Sequence, residues 1–237
     1  MHQSDNPADQ QQLVYKQQAA EYAVTFVKNG MTLGLGTGST AIFATRKIGE
    51  LLRGGKLSGI TGFATSQATY QEAERLGIPL LAEELPRNLD LTIDGADEVD
   101  PKLNVIKGGG GALLREKIVA QASQRMFITV DDSKLSARLG SRHRLPVEVL
   151  VFGWRSQLRF LESLDARAEL RKRADGSPFL TDSGNMIIDC DFGPIANPAG
   201  LADSLSRRAG IVEHGLFLGL VSDLIVAGPG GIQHRTR

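Results

Sequence analysis

I-D-G-A-D-E-V-D-P-K-L-N-V-I-K-G-G-G-G-A-L-L-R-E-K, residues 93–117, decides how the chain is read. It continues the apolar run 89–93, so it begins where a buried strand emerges from a sheet, the usual place for ligands in open α/β folds. Asp94, Asp97, Glu98 and Asp100 come first, then the lone lysine Lys107, four consecutive glycines, and Glu116 on the A-L-L-R-E-K-I-V-A segment that reads as a helix start. Glycines in a row cost conformational entropy unless the backbone must approach something closely, and their N–H groups are then on offer. Glu98, Asp100 and Lys102 fit a solvated rim. The other acids, the lysine and the glutamate are more crowding than folding alone requires.

The same grammar repeats on either side. Residues 13–28 place Ala19, Ala20, Ala23, Phe26 and Val27 at helical spacing and stop at Asn29-Gly30. A short apolar strand, 31–35, runs into G-L-G-T-G-S-T, 34–40, and then into the helical A-I-F-A-T-R-K-I-G-E-L-L. A strand at 60–65, a helix at 66–76 closed by Gly77, strands at 79–82 and 89–93, a helix at 112–123 and a strand at 126–130 follow. Strands alternating with helices imply a parallel sheet with right-handed crossovers. From about residue 145 the order changes to strand 146–152, helix 154–164, strand 166–172, the turn T-D-S-G-N at 181–185, strand 186–192 and helix 198–208, before strands at 211–218 and 223–227. That β-α-β-β-α-β order is ferredoxin-like. The expected fold is therefore α/β, a doubly wound Rossmann-like, mainly parallel sheet (residues 1–137 plus 214–237) with a second, smaller ferredoxin-like α+β domain (138–213). The tail G-P-G-G-I-Q-H-R-T-R is expected to be mobile at its end.

With 237 residues, 41% of them hydrophobic, the chain can bury a large core. Its 27 basic and 27 acidic residues cancel, so no global field draws it to nucleic acid or to an anionic membrane, and any anion must be held by a local site. A single cysteine, Cys190, forms no internal disulfide and reads as a small core residue, which fits a reducing, cytoplasmic setting. Residues 1–12 are polar and lack a signal core, and no apolar run is long enough to span a bilayer, so a soluble, unexported protein is expected. His2, His143, His214 and His234 lack metal-ligand spacing, and the order of the acids at 94–100 does not match a calcium loop. No metal is expected.

Strand, glycine turn and helix start at 31–41 form a phosphate-binding arrangement, because the N–H groups at a helix N-terminus carry roughly half a positive charge. A nucleotide P-loop needs lysine directly before its Ser/Thr, and Gly38 stands there. The dinucleotide pattern needs glycine at 39, which is Ser39. What remains is a cradle for a single phosphate built from Thr37, Gly38, Ser39 and Thr40. Lys134, in D-D-S-K after the strand 126–130, is placed to reach the same crevice. With no cofactor motif, chemistry must come from side chains. A carboxylate, lysines and backbone N–H groups suit proton abstraction beside a carbonyl, the carboxylate taking the proton and the cation and amides stabilising the enediolate oxygen.

G-L-G-T-G-S-T, D-G-A-D-E-V-D, K-G-G-G-G-A-L-L-R-E-K, D-D-S-K, L-P-V-E-V and T-D-S-G-N, in this order and spacing, resemble the ribose-5-phosphate isomerase A family from about Lys16 to the last strand. The resemblance implies interconversion of ribose 5-phosphate and ribulose 5-phosphate through a cis-enediolate, without metal or cofactor, by a homodimer or homotetramer acting on a small phosphorylated pentose. Carried over, it makes Glu116 the general base, Asp94 the acid assisting ring opening, and Asp97 a hydroxyl contact. Lys107 would stabilise the enediolate beside Gly108, Gly109 and Gly110, and Gly95 and Ala96 would line the substrate. Thr37, Gly38, Ser39 and Thr40, with Lys134 and Lys16, would hold the phosphate. Leu114 departs from the threonine often found in the family's A-L-T-R-E-K. A sugar-phosphate sensor and a coenzyme A transferase are the competing classes; the first should have lost these acids, and the second must admit a far larger ligand.

Overall fold

The computed structural model describes residues 7–81 and 88–237. The chain begins with helix α1 (Pro7–Val24), strand β1 (Thr32–Leu35), helix α2 (Ala41–Arg53), strand β2 (Thr61–Ala64), helix α3 (Gln67–Arg75) and strand β3 (Leu91–Asp94). Two very short strands follow, β4 (Glu98–Val99) and β5 (Val105–Ile106), then α4 (Leu113–Gln121) and β6 (Met126–Asp131), which runs into a single 3₁₀ turn, Asp132–Lys134. The ferredoxin-like order comes next: β7 (Leu145–Val149), α5 (Trp154–Glu162), β8 (Arg167–Leu170), β9 (Met186–Asp191), α6 (Pro198–Ser206) and β10 (Ile211–His214). The chain closes with β11 (Leu216–Phe217), β12 (Asp223–Gly228) and β13 (Gly231–Thr236).

These elements form two compact units. Unit 1 comprises Met1–Gly95, Ile118–Lys134 and Leu220–Arg237; unit 2 comprises Ala96–Lys117 and Leu135–Gly219. Residues 138–213, the expected smaller domain, fall within unit 2, which also takes in 96–117 and a few flanking residues.

Unit 1 is a six-stranded sheet in the order β13-β12-β6-β3-β1-β2, parallel except for β13. Leu33 and Leu35 of β1 pack with Ala19, Ala20 and Ala23 of α1 and Ala44 and Ile48 of α2. The intervening Gly34 points the other way, toward Val119 of α4. Side chains alternate along a strand, so helices cover both faces and the sheet is doubly wound. The leucine and isoleucine side chains among these, fully buried, each contribute roughly 1.5–3 kcal/mol. From β1 the chain moves to β2 on one side, while β3 lies on the other. The β1 and β3 C-terminal ends therefore meet at the switch point, where open α/β sheets leave a crevice.

Unit 2 holds an antiparallel sheet in the order β10-β7-β9-β8, with Leu145, Val147, Val149, Leu161, Ile188 and Leu205 in its core. A second, three-stranded sheet, β11-β5-β4, carries the strand that ends just before Lys107.

The structure corrects several expectations. The tail is not mobile at its end: β13 pairs with β12 along its whole length, from Asp223 opposite Thr236 to Gly228 opposite Gly231, because β12 offers a free edge and 228–231 make the turn. The expected strand 79–82 reduces, within the described residues, to an isolated bridge between Gly62 and Leu80, and Ala82 and His2 lie outside those residues. The single strand expected at 211–218 is two, β10 and β11, which join different sheets. Glu98 is no rim acid: it is buried and accepts the backbone N–H groups of Gly140, Ser141 and His143 at 2.9–3.2 Å. Cys190 is a buried core residue as expected. No described helix is long and apolar enough to cross a membrane.

Candidate active site

In unit 1 the residues expected around a phosphate come together at the C-terminal edge of the sheet. β1, β3 and β6 are parallel neighbours, with Leu35 opposite Ile93 and Asp94 opposite Ile128, so the segments after all three emerge at one edge. Gly38 and Ser39 are exposed at the tip of the first turn, and Thr40 is buried at the N-terminus of α2. The Thr37 hydroxyl turns inward, to Thr65 (2.7 Å), Ser66 (2.8 Å) and Thr69 (3.1 Å), and Thr69 closes the lattice by donating to the Gly36 carbonyl. Asp94 is buried, and its Oδ1 accepts the N–H groups of Thr37 (3.1 Å) and Gly95 (2.8 Å), tying the β3 end to the β1 turn. Lys16, reaching from α1, donates to Ser39 Oγ at 3.3 Å. Lys134, half-buried, closes the 3₁₀ turn after β6.

Unit 2 gathers the other expected residues. Lys107 follows β5 and Glu116 sits in the first turn of α4, and their charged groups meet at Nζ–Oε1 3.3 Å with side chains only 2% and 5% exposed. Between them, Gly108 and Gly111 take φ of +102° and +84°, conformations that side-chain-bearing residues rarely adopt, while Gly109 and Gly110 lie exposed. The Gly109 N–H donates to Asp97 Oδ2 at 2.7 Å. Ala96 and Asp97 are half-buried on the strand-to-strand connection before β4.

Three features of unit 2 have no local signature in the sequence. Arg171, just past β8, donates Nη1 to the carbonyls of Gly108 (3.0 Å) and Gly109 (3.1 Å). Glu148 of β7 is buried and accepts from Thr181 Oγ1 and Asn185 Nδ2, both at 2.9 Å, so L-P-V-E-V and T-D-S-G-N are bound to each other. Burial pushes its carboxyl up, against the pull of those donors and of the Leu114 amide in the first turn of α4. Lys117, one residue past Glu116, is buried with Nζ donating to Glu213 Oε1 and to the His214 carbonyl; burial pushes its ammonium down and Glu213 opposes this. Lys107 and Lys117 both lie over the Phe217 ring, at 5.7 and 4.9 Å from its centroid.

A buried ion pair is a poor stabilising device, because desolvating two charges costs about what their attraction returns. A buried carboxylate beside a fixed cation is well suited to taking up and releasing a proton next to a developing negative charge. Among the described residues, no group of three or more His, Cys, Asp or Glu converges as a metal site would.

Residues 61–231 match the family described as Ribose 5-phosphate isomerase A (phosphoriboisomerase A). The chain belongs to the ribose-5-phosphate isomerase A family. Its curated relatives include the ribose-5-phosphate isomerase A of Chloroflexus aurantiacus, 59% identical across 93% of this chain and 92% of that protein. The one from Desulfatibacillum aliphaticivorans is 53% identical across 92% and 95%. Among solved structures, the ribose 5-phosphate isomerase of Plasmodium falciparum superposes with a TM-score of 0.92 at 37% identity, covering 95% of this chain and 99% of that one. A D-ribose-5-phosphate isomerase in complex with phospho-erythronic acid gives 0.92 at 36% identity, with 94% and 98% covered. As a ribose-5-phosphate isomerase A family member the chain is an enzyme, an isomerase with the α/β architecture described above.

Proposed function

We propose that the enzyme interconverts D-ribose 5-phosphate and D-ribulose 5-phosphate through a cis-enediolate, with Glu116 as the general base. The observation that carries the reading is the buried Lys107–Glu116 pair at 3.3 Å, bracketing the glycine segment. Asp94 assists opening of the sugar ring and Asp97 contacts a hydroxyl. The Glu116 carboxylate takes the C2 proton of the open-chain aldose, the C–H electrons form the C1–C2 double bond, and negative charge develops on O1. A proton passes from O2 to O1, and Glu116 returns its proton to C1, leaving the carbonyl at C2. Atoms and electrons balance without an oxidant.

Lys107, beside the Gly108, Gly109 and Gly110 backbone, stabilises the charge that moves between the two oxygens. The cradle of Thr37, Gly38, Ser39 and Thr40, with Lys16 and Lys134, binds the phosphate. Support comes from family membership and from the relative solved with phospho-erythronic acid, a phosphorylated acid whose carboxylate has two oxygens on one carbon, as planar and anionic as the enediolate.

The test is Glu116→Gln. Purified, chelator-treated wild-type protein should convert ribose 5-phosphate to ribulose 5-phosphate, while the variant should retain KM and lose about 10²- to 10⁴-fold in kcat, the usual contribution of a general base. Near-native turnover by the variant would remove Glu116 from the role, and no conversion by the wild type would sink the substrate assignment.

A further inference from the structure

The glycine segment closes one turn bond of its own, from the Gly111 N–H to the Gly108 carbonyl at 3.0 Å, but it has no side chains, so anything else that fixes its peptide planes must reach in from outside. Asp97 holds one side, accepting the Gly109 N–H. The carbonyl side is held by Arg171, whose Nη1 donates to Gly108 O at 3.0 Å and Gly109 O at 3.1 Å. The rest of that guanidinium is locked by Asp189 of β9, which takes Nε at 2.8 Å and Nη2 on its second oxygen, the two side chains being 15% and 21% exposed. Phe179 lies 5.7 Å from the guanidinium and against Gly111, where a Cβ would sit 2.6 Å from its ring.

The direction of each N–H follows. In a planar trans peptide the C=O and the N–H of the next residue point opposite ways. Arg171's grip on the Gly108 carbonyl therefore aims the Gly109 N–H at Asp97, and its grip on the Gly109 carbonyl aims the exposed Gly110 N–H away from the guanidinium. A cation on a carbonyl also polarises that peptide and strengthens its N–H as a donor. The two-pronged arginine–carboxylate pair is planar and pre-organised in a way a lysine cannot copy.

We propose that Arg171, oriented by Asp189, is a positioning residue for the isomerisation: it fixes and polarises the 108–110 peptides so that the Gly110 N–H donates to the oxyanion forming on the sugar. The inference rests on the isomerase reading given above. It assigns a role to a residue some sixty positions from the motif it serves.

The test compares wild type, Arg171→Ala, Arg171→Lys and Asp189→Asn, far below their melting temperatures, for kcat and KM with ribose 5-phosphate and for inhibition by phospho-erythronic acid. Removing one oxyanion donor typically costs about 10²- to 10³-fold, and misaiming one should cost less. Arg171→Ala is expected to lose about 10- to 100-fold in kcat with KM nearly unchanged, and to bind the acid more weakly by a comparable factor. Millimolar guanidinium should restore part of its rate, and Arg171→Lys and Asp189→Asn should fall between it and wild type. A kcat within twofold of wild type for Arg171→Ala overturns the proposal, as does a rate loss that leaves inhibition by the acid untouched. If Arg171→Ala does not fold, the other two variants decide, and wild-type kcat in both overturns it. Failure of the isomerase reading looks different, because wild type itself would then leave ribose 5-phosphate unconverted.

Discussion

The two glycine-rich turns look alike in sequence and solve different problems. At the end of β1 and in the turn after it, a Cβ on Gly34 would lie 1.9 Å from Thr92 Oγ1, and one on Gly36 would lie 2.3 Å from Asp94 Oδ1 and 2.6 Å from Asp94 Cα. Those glycines let β1 and the β3 end carrying Asp94 press backbone against backbone; only Gly38, with φ +111° and nothing within 4 Å of a Cβ, faces open space. In the turn after β5 the requirement is conformational. Gly108 and Gly111 hold positive φ, and side chains from elsewhere in unit 2 brace them: Asp97, Arg171 and Phe179. Glycine in the first turn therefore serves internal packing more than ligand approach. In the second it supplies a backbone shape that one turn bond of its own, Gly111 N–H to the Gly108 carbonyl, and side chains from outside hold together.

The comparison breaks first at Gly36. Neither Asp94 Cα nor its buried carboxylate, bonded to Thr37 and Gly95, can yield to a methyl group. Gly36→Ala should cost at least about 3 kcal/mol, the upper end of ordinary overpacking, because the backbone itself must shift. For a domain of this size that lowers the melting temperature by roughly 6–12 °C. Thermal unfolding followed by circular dichroism reads it directly, and a shift within about 2 °C of wild type would mean the turn has slack the structure does not show.

Legibility divides along the same line. The β1 turn, α2, β2, α3 and β6 were readable because hydrophobic period and glycine punctuation are local, and each element lies within a few residues of its expected place. Asp94, Asp97, Lys107 and Glu116 stood out as a dense run of chemistry in one stretch. What holds them did not stand out. Arg171 and Asp189 act on a loop some sixty to eighty residues away, and an arginine after a half-exposed strand has no pattern separating it from a surface charge. Glu98 read as a rim acid because burial by Gly140, Ser141 and His143 is a long-range fact. β13 was missed because I-Q-H-R-T is mostly exposed, so no apolar alternation marks it, and only the free edge of β12 makes it a strand.

The braces also differ in what titrates. Around Thr37 the lattice is made of hydroxyls, whereas Lys107 N–H is held by the Gly215 carbonyl at 2.9 Å, next to the buried His214. Burial first, and then the Lys117 ammonium, push the His214 imidazole down to about 4, with Glu213 opposing. Its Nδ1 accepts from the Leu216 N–H, leaving the proton on Nε2 toward Ser206. A folded-state value below the unfolded one, about 6.5, means the unfolded chain takes the proton first. The stabilisation is thus complete above pH 6.5 and is lost as pH falls toward 4. At pH 5 the loss is about 2 kcal/mol. Between pH 7.5 and pH 5, wild type should therefore lose about 4–8 °C more in melting temperature than His214→Asn. Hydrogen exchange should rise at 109–111 before it rises at 36–38, and equal pH slopes for the two proteins would remove His214 from the brace.

The smallest effect separates packing from ligand approach within the first turn. Gly38→Ala meets nothing in the protein, so its cost is the strain of a methyl-bearing residue at φ +111°, about 1–3 kcal/mol, with the lower end expected at an exposed turn tip that can relax. The melting temperature should fall by only about 2–4 °C. If the tip cradles a phosphate, the new methyl group occupies space meant for the anion, and KM for ribose 5-phosphate should rise at least tenfold, about 1.4 kcal/mol of binding, while kcat changes little. A variant that loses those few degrees and keeps its KM would show that Gly38, like Gly34 and Gly36, is glycine for the chain's own sake, and would move the phosphate away from this turn.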